Sequence, residues 1–541
     1  MTKSAHIDTF TIDNLPPRDQ WPEMFFELPE LAYPARLNCA VELLDRRVAA
    51  GGGDRPVIHA LVDGKRITAT YAQLLAQANR IARVLVEDLG LVPGNRVLLR
   101  APNNPMMAAC WLAVIKAGLV AVATMPLLRA KELKQIIDKA RVGAALCDVR
   151  LADELAAARA QCPDLKQVLY FNDGSPGSLD ALAAAKPATF DDVDTALEDP
   201  CLIAFTSGTT GQPKGTVHFH RDVMAMCDCF PKSTLRAQPD EIFCGTPPLA
   251  FTFGLGGMLC FPMRVGASTV LSERLTPETL LETVQKFRAT TMFTAPTFFR
   301  QMAALARGWD LSMLKKCVSA GEALPDATRQ LWKQATGIEI IDGLGATEMI
   351  HIFVSHTPER TRRGATGYAI PGYRATVLDD EGRPCPPGVV GKLAVKGPTG
   401  CRYLADDRQS QYVKWGWNLT GDAYKMDADG YFHYQARTDD MIISAGYNIA
   451  GPEVESALLA HEAVAECGVI GVPDEDRGQI VKAFVVLKPG YTGNDTMVKA
   501  LQDYVKNAIA PYKYPRAIEF REALPRTETG KLQRFRLREG A

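Results

Sequence analysis

The run Thr206-Ser-Gly-Thr-Thr-Gly-Gln-Pro-Lys-Gly215 holds the densest set of chemically capable residues in the chain. It follows a short apolar stretch, Leu202–Phe205, that reads as a strand. Its glycines allow close backbone approach and positive φ. Its hydroxyls and Lys214 offer hydrogen bonds and charge to phosphate oxygens. The run is not a Walker A motif, because G-x-x-x-x-G-K needs glycine where Pro213 stands. A merely solvated Gly/Ser/Thr loop would explain neither the lysine nor the hydroxyls gathered at a strand end.

Alternating elements must position this loop. Tyr71–Leu89 reads as an amphipathic helix opened by Thr70, and Arg96–Arg100 as a strand. A Pro105–Lys116 helix, a Val120–Thr124 strand, an Ala130–Ala140 helix and an Ala144–Cys147 strand follow. Strands separated by helices of this length predict a parallel sheet covered on both faces. Glu241–Thr246, Ser268–Leu271, Thr291–Thr294, Lys316–Ser319 and Glu339–Asp342 continue the strands, with a helix from Thr276 to Phe287. Arg374–Lys396 changes character: short runs between Asp379-Asp-Glu-Gly382 and Pro386-Pro-Gly388 predict antiparallel strands. The last hundred or so residues read as a separate small α/β unit after the polar Arg437-Thr-Asp-Asp440. Gly51-Gly-Gly53 is read as a flexible turn and Gly174–Pro200 as a surface connection.

Composition narrows the function classes. The chain has 541 residues, enough for several domains with a sizeable core. Lys+Arg is 61 against 62 for Asp+Glu, which argues against nucleic acid held by bulk charge. The 13 cysteines form no C-x-x-C pair, so free thiols in a reducing cytoplasm are expected. The N-terminus has no apolar secretory segment. Met106–Leu128 is mostly apolar, but Lys116 and Gly118 interrupt it, so a buried helix and strand are expected rather than a membrane span.

The loop resembles the phosphate-binding signature of the adenylate-forming superfamily, which contains acyl-CoA synthetases, luciferases and peptide-synthetase adenylation domains. Gly343-Leu-Gly-Ala-Thr-Glu348, Thr420-Gly-Asp422, Tyr434-Gln-Ala-Arg-Thr-Asp-Asp-Met-Ile442 and Pro525–Lys531 resemble its further motifs, in family order. The resemblance implies an α/β fold. It has a large N-terminal domain (residues 1–438) of parallel-sheet subdomains plus a small β-barrel-like part, and a small mobile C-terminal α+β domain (439–541).

The resemblance also implies roles. Thr206, Ser207, Gly208, Thr209, Thr210, Gly211 and Lys214 would cradle ATP phosphates. Glu348 would hold Mg²⁺, and Thr347 would contact the α-phosphate. Gly321, Glu322, Ala323, Asp342 and Gly343 would border adenine. Asp422 would accept the ribose hydroxyls, with Tyr434 and Arg437 nearby. Lys531 would sit on the reacting oxygens, where negative charge builds. Asp439 would be the hinge, and Ser444, Gly446 and Tyr447 would line a coenzyme A channel. Ala436 stands where the family usually has glycine, which leaves that turn open. No carrier domain follows Lys531, so free coenzyme A is the simplest thiol acceptor.

The acid pocket would be lined by Phe251, Thr252, Phe253, Gly254, Leu344, Gly345 and His351. Two phenylalanines and flat glycine strips suit a planar ring, although both rings could equally be core. Phe251-Thr-Phe-Gly-Leu-Gly256, the run from Gly343 to Phe353, and Tyr512-Lys-Tyr-Pro-Arg516 resemble benzoate-CoA ligases. Asp13-Asn-Leu-Pro-Pro-Arg-Asp-Gln-Trp21 is most similar to 2-aminobenzoate-CoA ligases. An ortho amino group would need an acceptor, for which Thr252 and His351 are candidates; a structural histidine is the alternative. The expected partners are an aryl acid and coenzyme A, with neither nucleic acid nor membrane, and a homodimer is left open.

Overall fold

The computed structural model describes the chain except residues 1, 63, 207–212, 438–439, 445–446, 475–476, 510, 527–531 and 540–541, and the side chains of Val62, Ile443, Tyr447 and Asn448. Two large sheets build the N-terminal part. The first has six strands in the order Gln167–Phe171, Ala144–Asp148, Arg96–Arg100, Val120–Thr124, Pro200–Thr206 and Lys214–Phe219. It is parallel except for the last strand, which returns antiparallel. The second has nine strands. Its parallel middle includes Ile242–Gly245, Thr291–Thr294, Lys316–Ala320 and Ile340–Gly345. Antiparallel strands close both ends. The sheets are therefore mixed at their edges, where a short connection replaces a crossover helix.

Local chemistry sets the helix starts. Thr70 accepts from the Gln73 N–H while Gln73 returns a bond to the Thr70 N–H, a reciprocal cap for Tyr71–Arg83. Asn104 caps Pro105–Lys116, with proline at the first helical position. That helix is buried, and Lys116 at its end is wholly enclosed and paired with Asp45 and Asp192. Among the described residues no helix is long and apolar enough to cross a membrane.

Three readings are corrected. Gly51–Gly53 is not simply a turn: the backbone winds helically over Val48–Gly52, with Gly51 at φ 86°. Gly174–Pro200 is not just a surface connection. It carries the helix Leu179–Ala184, whose Leu179 and Ala183 are buried, and Asp192 reaches Lys116. Ala436 lies in no turn; it is a fully buried strand residue opposite Ala423.

The sequence reading also left out several elements, two of them central to the fold. The hairpin Pro56–Val62/Lys65–Thr70 closes one end of the nine-stranded sheet. The helix His220–Phe230 is buried along its whole length and shares one core with residues of both sheets. Its charged residues, Arg221, Asp222 and Asp228, are buried along with its apolar ones.

A five-stranded antiparallel sheet includes Arg374–Leu378, Val390–Lys396, Trp417–Met426 and Phe432–Arg437. From Ile442 onward a hairpin, three more strands and helices enclose a core of their own. Arg300 of the helix Pro296–Leu305 donates across to the carbonyls of Leu459, Val464 and Ala465.

Candidate active site

The strands Pro200–Thr206 and Lys214–Phe219 pair so that Thr206 faces Lys214. Thr206 and Lys214 flank the glycine- and hydroxyl-rich run in sequence; Ser207, Gly208, Thr209, Thr210 and Gly211 lie outside the described residues. Thr206 Oγ1 is buried with no hydrogen-bond partner. Such an orphaned oxygen at a strand end suits a ligand.

Ile340–Gly345 delivers the next group. It runs into a short 3₁₀ turn, Thr347–Met349, which carries Glu348 inward. Glu348 Oε1 lies 3.8 Å from Lys214 Nζ and accepts a 2.5 Å hydrogen bond from the Tyr403 hydroxyl. Among the described residues Oε2 has no hydrogen-bond partner. One carboxylate oxygen held and one open, beside a lysine, fits a hard divalent cation bridged to phosphate.

The support behind this pair was not legible in the sequence. His218 Nε2 lies 2.8 Å from the Thr347 carbonyl. Arg402 donates to Asp222 at 2.8 Å, with both side chains fully enclosed. Burial alone would raise the Asp222 carboxyl; Arg402 holds it below the ordinary carboxylate range instead, with Arg221 and His218 close by. Arg402 also lies over the rings of Trp21 and Phe219. The N-terminal run ending at Trp21 therefore backs the phosphate end of the site. Histidines and arginines so scattered in sequence carry no spacing signal.

Asp422 and Arg437 face each other on adjacent strands. Arg437 Nη1 lies 3.2 Å from Asp422 Oδ1 and 3.1 Å from the Thr420 carbonyl. Burial raises the Asp422 carboxyl, and Arg437 opposes the rise. Tyr434 stands on the same strand, its ring 5.3 Å from that of Tyr424.

Around Asp342, its N–H donates to His356 Nε2, and Ser355 donates to the Asp342 carbonyl. Burial pushes the Asp342 carboxyl up to about 7, against Arg329 and the Gly343 N–H. Gly321 (φ 93°) and Ala323 are exposed, whereas Glu322 accepts from Thr297 and lies 3.6 Å from Arg526. Arg526 immediately precedes the segment 527–531, so the flank of Lys531 reaches this edge while Lys531 itself lies outside the described residues.

Of the acid-pocket candidates, Phe253 is brought against the His351 imidazole; Phe261 and Phe230, which the sequence reading did not name, complete the ring around it. Pro247–Leu249 is clasped by Asn103, which donates to the Pro247 carbonyl and accepts from the Leu249 N–H. The chain then enters the helical run Thr252–Leu255. The glycines are not flat strips. A Cβ on Gly254 would lie 2.0 Å from the Pro248 carbonyl oxygen, and one on Gly256 would lie 2.4 Å from the His351 ring.

His351 packs edge-on to Phe261 at 4.4 Å, with Phe253 at 5.6 Å and Phe230 at 6.0 Å. Its Nε2 lies 3.3 Å from the Phe253 carbonyl, so Nε2 carries the proton and Nδ1 is a lone-pair acceptor. Nδ1 is buried with no hydrogen-bond partner. Burial lowers the ring's pKa to about 3, with the Phe253 bond acting weakly against it, so the imidazole is neutral. Ile350 between Glu348 and His351 has φ 64°, a strained conformation for a β-branched residue. It reverses the chain and sends Glu348 and His351 to different places. Phe251, Phe253 and Leu344 are half-buried, Thr252 and Gly254 buried, and Gly345 exposed.

Of the coenzyme A candidates, only Ser444 has a described side chain. Ser444 is buried in the C-terminal unit near Arg477 Nε, and Tyr447 pairs with it across a hairpin. Gly446 and the hinge candidate Asp439 lie outside the described residues.

The described residues thus combine a mixed α/β fold with an acid–lysine pair, Glu348 and Lys214, and a buried Asp222–Arg402 pair. Residues 45–403 match the AMP-binding enzyme family and residues 453–531 the AMP-binding enzyme C-terminal domain; the chain belongs to this family. A benzoate–CoA ligase of Thauera aromatica is 36% identical over 517 residues, covering 94% of this chain and 97% of that protein. The crystal structure of the anthranilate CoA ligase AuaEII in complex with anthranoyl-AMP superposes with a TM-score of 0.89 at 33% identity, covering 95% and 99% of the two chains. A benzoate CoA ligase from Burkholderia xenovorans LB400 gives 0.84 at 29% identity, covering 93% and 99%. The protein is an AMP-forming acid–CoA ligase that uses ATP, Mg²⁺ and coenzyme A.

Proposed function

We propose that the protein activates an aromatic acid, 2-aminobenzoate or benzoate, as an acyl-adenylate and passes the acyl group to coenzyme A, with release of pyrophosphate and AMP. A free carboxylate is a poor acyl donor; adenylation supplies the leaving group. The observation that carries the reading is the neutral His351 acceptor inside a ring of phenylalanines, three residues beyond Glu348. Aromatic walls favour a planar acid, and the open Nδ1 favours a donor ortho to the carboxylate.

In this reading Thr206, the loop 207–212 and Lys214 bind the β- and γ-phosphates. Glu348 holds Mg²⁺, which neutralises phosphate charge when bound. Thr347 meets the α-phosphate, and Asp422 holds the ribose hydroxyls with Arg437 fixing its orientation. Asp342, Gly343 and Gly321–Ala323 border the adenine. Lys531 stabilises the charge that builds as carboxylate attacks phosphorus. Residues 439–541 act as the second domain, turning about Asp439 to present Ser444, Gly446 and Tyr447 to coenzyme A.

The test is AMP release with ATP and Mg²⁺ across benzoate, 2-aminobenzoate, fluorobenzoates, hexanoate and palmitate, with and without coenzyme A. Coenzyme-dependent release with the aryl acids supports the reading. Strong turnover of hexanoate would mean an aliphatic pocket, and release that ignores coenzyme A would point to a carrier-protein acceptor.

A further inference from the structure

We infer that Tyr403 is a positioning residue that fixes both charged groups at the phosphate end of the site; this rests on the reading of Glu348 as the cation ligand. Three contacts carry it. The Tyr403 hydroxyl donates to Glu348 Oε1 at 2.5 Å. Its ring face receives Lys214 Nζ at 5.1 Å from the centroid. Lys214 and Glu348 stand 3.8 Å apart, beyond hydrogen-bonding distance.

The ring itself is locked. Its exposure is 1%. Tyr412 stacks edge-on to it at 5.8 Å. The Tyr403 N–H donates to Gln409 Oε1, and Gln409 donates back to the Cys401 carbonyl. The neighbouring Leu404 N–H donates to the Gly215 carbonyl, next to Lys214. Tyr403 is therefore mounted on the same hairpin that carries the lysine.

The arrangement solves a packing problem. Left alone, a lysine and a glutamate in one pocket close into a direct ion pair, and each then competes with the ligand the other should bind. The phenol gives Glu348 Oε1 a neutral donor, and the ring face gives the ammonium a cation–π seat. Oε2 stays available to a cation, and the ammonium stays available to phosphate.

The test compares Tyr403→Phe with Tyr412→Phe and Glu348→Gln. Tyr412 is the control because its buried hydroxyl has no hydrogen-bond partner. Mn²⁺ binding to the enzyme–ATP complex is read by electron paramagnetic resonance, alongside the Mg²⁺ concentration for half-maximal turnover. Tyr403→Phe is expected to weaken Mn²⁺ binding and raise the Mg²⁺ requirement about tenfold, from loss of a charge-assisted hydrogen bond. KM for the acid should stay within about twofold, and Tyr412→Phe should match the parent. Unchanged Mn²⁺ binding in Tyr403→Phe, with Glu348→Gln impaired, would overturn this inference alone. Unchanged binding in Glu348→Gln would overturn the reading of the cation site as well. Equal loss in Tyr403→Phe and Tyr412→Phe would reduce Tyr403 to a packing residue.

Discussion

Replacing His351 with phenylalanine tests the proposed acid specificity most directly. The neutral ring donates from Nε2 to the Phe253 carbonyl and leaves Nδ1 as a buried acceptor without a partner. An amino group ortho to the substrate carboxylate would satisfy that acceptor; benzoate would not. A neutral hydrogen bond of this kind contributes about 1 kcal/mol, which is about a fivefold preference in kcat/KM for 2-aminobenzoate over benzoate. Phenylalanine has no acceptor, so the ratio should fall to about one with benzoate turnover largely kept. The Phe253 carbonyl is not orphaned, since it also accepts from the Gly256 N–H.

Because the crowded Gly256 backbone lies against the ring, His351→Leu serves as a second variant, with the same ratio expected. The assay is coenzyme-dependent AMP release over a range of pH. Protonation would turn Nδ1 from acceptor to donor, so any preference would be lost as pH falls through the ring's pKa. With that pKa near 3, the ratio should be flat across neutral pH. A ratio unchanged in both variants, or one that climbs through pH ~6.5 as for an ordinary imidazole, would refute the assignment.

Three further outcomes follow from the same geometry. Asp342 keeps its proton in the folded state up to about pH 7 but loses it near 3.8 when unfolded, so its contribution to stability falls as pH rises through that window. Asp342→Asn removes the dependence; its unfolding free energy relative to the parent should rise between pH ~4 and ~7 by up to about 4 kcal/mol, and a flat difference in denaturant titrations would contradict the assignment. Gly254→Ala places a methyl against backbone rather than a yielding side chain; overpacking of about 1–3 kcal/mol should abolish aryl-acid turnover while ATP binding, measured by calorimetry, persists. Lys531→Ala should nearly abolish adenylate formation yet spare thioester formation from supplied acyl-adenylate, whereas Gly446→Trp should slow only the thioester step; equal loss of both steps in either variant would count against the two-conformation scheme.

Much of the frame was legible because its signals are local. Thr70 and Thr276 read as helix openings followed by periodic apolar positions, and both cap helices here. Short apolar strands between helices announced the parallel sheets. The loop at Thr206–Gly215 stood out because glycines, hydroxyls and a lysine are held close in sequence, whereas the Thr-Glu pair at 347–348 and Asp422 were singled out by their resemblance to the family's motifs.

The rest was decided by distance in sequence and proximity in space. His220–Phe230 mixes charged with apolar residues, and only the fold shows that Arg221, Asp222 and Asp228 are buried as well. Tyr403 lies 55 residues from the glutamate it holds, and Asp222 lies 180 from Arg402. The glycines at 254 and 256 looked like room for a ligand; the packed chain shows them pressed against backbone and imidazole. Residue types in order specified what chemistry the chain can attempt. Only packing decided which oxygen stays open, which imidazole nitrogen keeps its lone pair and which lysine is held off its carboxylate, because each depends on contacts that sequence neighbours do not make.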